Sequence, residues 1–113
     1  MTPELMTAAL ESIKDPFVLV DLDHTILYLN KPGAENYSKW GGASLVGKCL
    51  LDCHNEESCR AIEEIVAAMH AGEDERLISS NDRRRIYMRA VRDTDGKLIA
   101  YYERYEWVQS QNV

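Results

Sequence analysis

One stretch sets the layout of this 113-residue chain: residues 55–72 read as a single amphipathic helix with strand-like runs before and after it. Ile62, Ile65, Val66 and Met69 fall at i, i+3, i+4 and i+7 and so form one apolar stripe. Asn55 can cap the first turn through its side-chain oxygen. Glu56 and Glu57 follow where the helix dipole favours negative charge. Gly72 can adopt the left-handed conformation that ends a helix. A helix with one apolar face must bury it, and the strands predicted on either side offer the surface. All three cysteines and one of the three histidines (Cys49, Cys53, His54 and Cys59) stand within 11 residues at the start of this helix.

The other elements follow from pattern. Residues 4–13 place Leu5, Met6, Ala9, Leu10 and Ile13 on one side of a leading helix started by Thr2 and Pro3. That stripe can bury against its own domain or against a partner chain, and both readings stay open. Asp15-Pro16 breaks the helix. Phe17–Val20 and Thr25–Leu29 are β-rich runs around the polar turn Asp21–His24, a hairpin pattern. His24 reads as a turn residue. Between Asn30 and Gly47, prolines and glycines punctuate one-turn helical pieces such as 34–39 and 43–46, with Tyr37 and Trp40 expected to supply packing bulk. Strands are expected at 74–80, 85–92 and 98–107, the last two joined by the turn Asp93-Thr94-Asp95-Gly96. Alternation in the last strand sets Ile99, Tyr101, Glu103, Tyr105 and Trp107 on one face. The simplest packing is α+β, a five-stranded antiparallel sheet with helices on one face and an N-terminal helix.

Composition narrows function. A net charge of −6 argues against nucleic acid as the main partner, because phosphate binding needs a positive footprint. The basic run Arg83-Arg84-Arg85 is short and reads as a solvated strand end. No apolar run approaches the ~18 residues of a membrane span. The N-terminus lacks the layout of a signal peptide, so a cytoplasmic location with reduced thiols is expected.

The sequence resembles the PAS domain. The resemblance runs through Ile13-x-Asp15-Pro16-Phe17-Val18-Leu19-Val20-Asp21, Asp23-His24-Thr25-Ile26-Leu27-Tyr28-Leu29-Asn30, Leu45-Val46-Gly47-Lys48, and Met88-x-Ala90-Val91-x-Asp93-x-Asp95-Gly96-Lys97-Leu98-Ile99. Ala100 departs from it, standing where many relatives carry glycine. The resemblance implies a domain over 15–108 preceded by a helical segment, 1–14, that can contact a second copy, and followed by a frayed tail, 109–113. A closer resemblance is to PAS modules with a Cys-His-Pro-Pro-x-Ser element at the start of the long helix; this chain has Cys53-His54-Asn55-Glu56-Glu57-Ser58, without the proline pair. The family implies a non-enzymatic sensory or interaction module, acting as a homodimer or through a separate effector protein.

Its binding space would lie between the long helix and the sheet. Leu19, Tyr28, Tyr37, His54, Ile62, Val66, Tyr87 and Tyr101 are the lining candidates, with Cys53 beside His54, and the tyrosines are the expected polar handles. The ligand is expected to be a small organic molecule. Two alternatives stay open. Haem-binding relatives place their axial histidine on this helix, which nominates His54 for haem. Cys49, Cys53, His54 and Cys59 could instead form a metal or thiol redox switch, although their spacing fits no standard zinc site. The Asn-Cys-Arg-Phe-Leu-Gln signature of flavin-binding light sensors is absent: Cys59-Arg60 is preceded by Ser58 and followed by Ala61-Ile62.

Overall fold

A computed structural model describes residues 1–108. The elements are α1 (Pro3–Glu11), β1 (Phe17–Asp21), β2 (Ile26–Leu29), α2 (Lys31–Asn36), three single 3-10 turns (Ser38–Trp40, Gly42–Leu45 and Leu50–Cys53), α3 (Glu56–His70), β3 (Glu75–Ser80), β4 (Arg84–Arg92) and β5 (Leu98–Trp107). The expected tail at 109–113 lies outside the described residues. The strands form one sheet in the order β2-β1-β5-β4-β3, and every neighbouring pair is antiparallel. The α+β architecture read from the sequence is therefore the observed one.

The long helix forms as its pattern predicts. Asn55 Oδ1 accepts from the Ser58 N–H at 2.8 Å, and Ile62, Ile65, Val66 and Met69 are buried. Gly72 sits at φ 115°, and the Glu73 N–H returns to the Ala68 carbonyl. Arg92 of β4 ties this end to the sheet by donating to the Met69 carbonyl at 2.7 Å and the Glu73 carbonyl at 3.0 Å. The core joins the α3 stripe to Val18, Val20, Ile26, Leu29, Met88, Leu98 and Tyr101.

Asn30 is the joint between the hairpin and the helical crossing. It is fully buried. Its Oδ1 accepts from the N–H groups of Phe17 and Gly33, and its Nδ2 donates to the carbonyls of Ile13 and Asp15. One side chain thus holds β1, the start of α2 and the exit from α1. Gly33 is required by this closeness: a Cβ there would lie 2.7 Å from the Phe17 carbonyl oxygen.

Three expectations need correction. Trp40 does not pack inward; its 3-10 turn leaves it 49% exposed, while Tyr37 is buried. The strict alternation assigned to β5 fails at its start. The pairing with β4 slips between Val91 and Arg92, so Leu98 and Tyr101 both face the core and Ile99 turns out, 46% exposed. α1 stops at Glu11, short of Ile13, and none of its residues is buried.

Candidate functional site

The concave side of the sheet and α3 enclose a cavity of about 250 Å³. Its apolar walls include Leu50, Ile62, Ile65, Ile86 and Met88, and its polar lining comes from Tyr37, His54, Tyr101, Glu103 and Tyr105, with Ser58 and Ser79 also present. Ala61, Ile78 and Ser79 are solvent-exposed members of the lining, so the space opens between α3 and β3.

Of the residues nominated from the sequence, Tyr37, His54, Ile62 and Tyr101 line this cavity. Val66 is in the core beneath it. Leu19, Tyr28 and Tyr87 are not in it, because their strand parity points them to the convex face. Leu19 pairs with Tyr28 and Tyr102, one step out of phase with the buried Val18 and Val20. The Phe17 ring stacks between Tyr28 and Tyr102 there, at 6.2 and 4.9 Å. Tyr28 donates to Glu11 at the end of α1, and burial with that carboxylate pushes its hydroxyl up to about 12. Tyr87 lies under the Arg104 guanidinium, 4.0 Å from the ring centre.

Glu103 is the polar centre that sequence reasoning passed over. It is 6% exposed. Its Oε1 accepts from the Tyr37 hydroxyl at 2.8 Å, and among the described residues Oε2 has no hydrogen-bond partner. Burial raises its pKa above the ordinary carboxyl value, against the opposing pull of Tyr37 and His54. Burial also pushes up Tyr37 and Tyr101, with Glu103 adding to both, and takes Tyr105 up to about 12. Alternation had already set Glu103 beside Tyr101 and Tyr105; a glutamate in that series was the available signal.

Local backbone chemistry sets the neighbours. The segment 47–50 runs beside β2, with the Leu50 N–H on the His24 carbonyl at 2.7 Å. This fixes the 3-10 turn that presents His54. A carbonyl can only accept, so the 2.9 Å contact between His54 Nδ1 and the Leu50 carbonyl puts a proton on Nδ1. Nε2 is therefore the open nitrogen. His24, at φ 66°, binds the Tyr101 hydroxyl through Nδ1 at 2.8 Å. Asn36 Nδ2 donates to the Tyr105 hydroxyl at 2.7 Å.

The cysteine alternatives find no geometry. Among the described residues no three His, Cys, Asp or Glu side chains come together as a metal site. Cys59 turns its thiol to the carbonyls of Leu51 and His54, away from the cavity lining. Cys53 packs against the core, and burial pushes its thiol up, the opposite of an activated redox cysteine. For haem, the His54 arrangement suits a ligand, because a ligating histidine usually spends its other nitrogen on such a carbonyl. The volume does not suit it. An apolar cavity of roughly 150 Å³ holds benzene, so about 250 Å³ holds one or two rings and not a macrocycle.

The family model described as the PAS fold matches residues 10–112. The chain belongs to the PAS family. It is thus a sensory and signalling module in broad class. Solved structures share the fold at low identity. A C-terminal domain from Streptococcus mutans superposes with a TM-score of 0.77 at 18% identity, covering 95% of this chain and 85% of that one. A PAS domain from Colwellia psychrerythraea gives 0.70 at 12%, covering 93% and 95%. A sensory box sensor histidine kinase from Vibrio cholerae gives 0.62 at 15%, covering 95% and 92%. No curated protein matches the sequence significantly.

Proposed function

We propose that this PAS domain is a non-enzymatic, cytoplasmic sensor that takes a small organic ligand between α3 and the sheet and reports it through α1 to a second copy or an effector protein. The carrying observation is the cavity of about 250 Å³, apolar-walled, with a buried carboxyl at its centre. Such a site gives affinity by apolar burial and selectivity through a few placed polar groups.

A route to α1 supports the reporting step. Glu103 holds Tyr37, which closes α2. Asn30 opens α2 and holds the Ile13 and Asp15 carbonyls beyond α1. α1 itself leaves Leu5 57% exposed and Met6 49% exposed on its apolar side, a surface suited to a partner.

Native mass spectrometry of the purified protein tests the cavity, with thermal shifts against one- and two-ring compounds. Ala61→Trp blocks the mouth from an exposed position. Wild type is expected to carry or bind a small molecule that A61W loses. An empty wild-type protein, unmoved by every compound, overturns the reading.

A further inference from the structure

Three open polar groups of the cavity can accept hydrogen bonds. Glu103 Oε2 has no partner among the described residues, and when ionised it accepts. His54 has spent its proton-bearing Nδ1 on the Leu50 carbonyl, so neutral Nε2 accepts. Tyr37 has given its proton to Glu103, so its remaining valence also accepts. Ser58 and Ser79 can serve in either sense, and Tyr105, which accepts from Asn36, keeps its own proton to donate. Two acceptors beside the Glu103 carboxyl call for a donor-rich guest.

Charge points the same way. Among the described residues no Lys or Arg forms a salt bridge with Glu103. A buried carboxylate without a cation is costly, and either a proton or a cationic guest removes that cost. Tyr37, Tyr101 and Tyr105 line the same space, and the face of an aromatic ring favours a cation over an anion. The volume admits a substituted ring.

We infer that the cavity binds a small aromatic primary amine as its ammonium form, with Glu103 as the anionic partner and His54 Nε2 and the Tyr37 oxygen as further acceptors. This rests on the cavity being the ligand site. Where Glu103 carries a proton in the empty protein, that proton occupies the place the ammonium takes. Binding then sends that proton from Glu103 to solvent while the N–H···O bond forms. The titratable groups facing Glu103 are Tyr37, His54, Cys53, Tyr101 and Tyr105.

The test uses benzylamine, benzyl alcohol and benzoate, which share one ring and differ in charge. Calorimetry in two buffers of different ionisation enthalpy reads affinity and proton release together. Benzylamine is expected to bind at least about tenfold tighter than the alcohol, the smaller end for a charge-assisted bond, with benzoate weakest and a proton released. Glu103→Gln is expected to bring amine and alcohol to parity and abolish the release, which separates it from any release by His54. Equal binding of alcohol and amine, or an amine affinity untouched in E103Q, overturns the inference and leaves the cavity reading standing. If none of the three binds, the inference falls; if native mass spectrometry also finds the protein empty and no other compound shifts its melting, the cavity reading falls too.

Discussion

Replacing Glu103 by glutamine converts a buried ionisable group into a neutral isostere, and the consequence for stability has a definite sign. The amide oxygen can still accept from the Tyr37 hydroxyl, so the 2.8 Å contact is kept. The wild-type carboxyl has a folded pKa above its ordinary 4.5, because burial penalises the charge. The folded state therefore holds a proton that the unfolded chain releases. Such a group contributes stability that is fully present below the unfolded value and is lost as pH rises through the folded one. Within that window the wild type loses up to about 1.4 kcal/mol per pH unit. For a domain of this size that is about 6 °C of melting temperature per unit. Urea unfolding of wild type and E103Q from pH 4.5 upward measures the difference. Glu75 has the opposite linkage, since Arg104 holds its carboxyl below the ordinary range and its contribution is lost as pH falls; it is common to both proteins and cancels. His54 faces Glu103 and does not cancel, so the same pair is run in a His54→Gln background. The stability of wild type minus E103Q should fall with pH and then level off. A difference that is flat, or that rises with pH, refutes the claim that burial raises the pKa of this carboxyl.

Three further outcomes are expected. Asn30→Ala removes four hydrogen bonds from a buried joint and should cost about 2–4 kcal/mol in urea denaturation; a loss under 0.5 kcal/mol on the order of a surface change would contradict its role. Gly33→Ala gains about 1 kcal/mol of helix propensity, yet its Cβ meets the Phe17 carbonyl at 2.7 Å and Asn30 Oδ1 at 3.0 Å, so net destabilisation is expected and a stabilised variant would be the counter-result. Leu5→Glu with Met6→Glu should turn a dimer into a monomer by light scattering with the circular dichroism unchanged; a wild type that is monomeric at high concentration rejects α1 as a self-association surface.

The parts of the fold legible in the sequence are those where one local signal agreed with one tertiary requirement. The stripe from Ile62 to Met69 had a cap at Asn55, a stop at Gly72 and a sheet to lie against. Asp93–Gly96 had only one conformation that joins two strands closely, and Gly96 takes φ 83°. Where two faces of a strand are both apolar, alternation loses its meaning. β1 is such a strand: Val18 and Val20 face the core, but Phe17 and Leu19 are covered by the aromatic group with Tyr28 and Tyr102, so sequence alone could not say which pair faced α3. Tyr87 is a different kind of miss. Arg85 and Arg89 stand two residues to either side on the same parity, and that pattern marks the convex face.

Glu103 shows why the centre of a site can hide from sequence even when its face is correctly assigned. A charged residue in alternation with Tyr101 and Tyr105 argues for solvent if charge is weighed first, and for the core if parity is weighed first. The fold resolves this with groups far along the chain. Tyr37, 66 residues away, supplies the hydrogen bond. His54 supplies a facing dipole whose orientation depends on the Leu50 carbonyl, and that carbonyl is in place because the 47–50 segment runs beside β2. Each of these partners has an ordinary local explanation: Tyr37 ends a short helix, and His54 precedes a capped one. Their convergence on one carboxyl belongs only to the closed sheet. A buried acid that is half satisfied by its own protein also keeps an oxygen for a proton or a guest, and this makes the cavity chemically selective rather than simply vacant space.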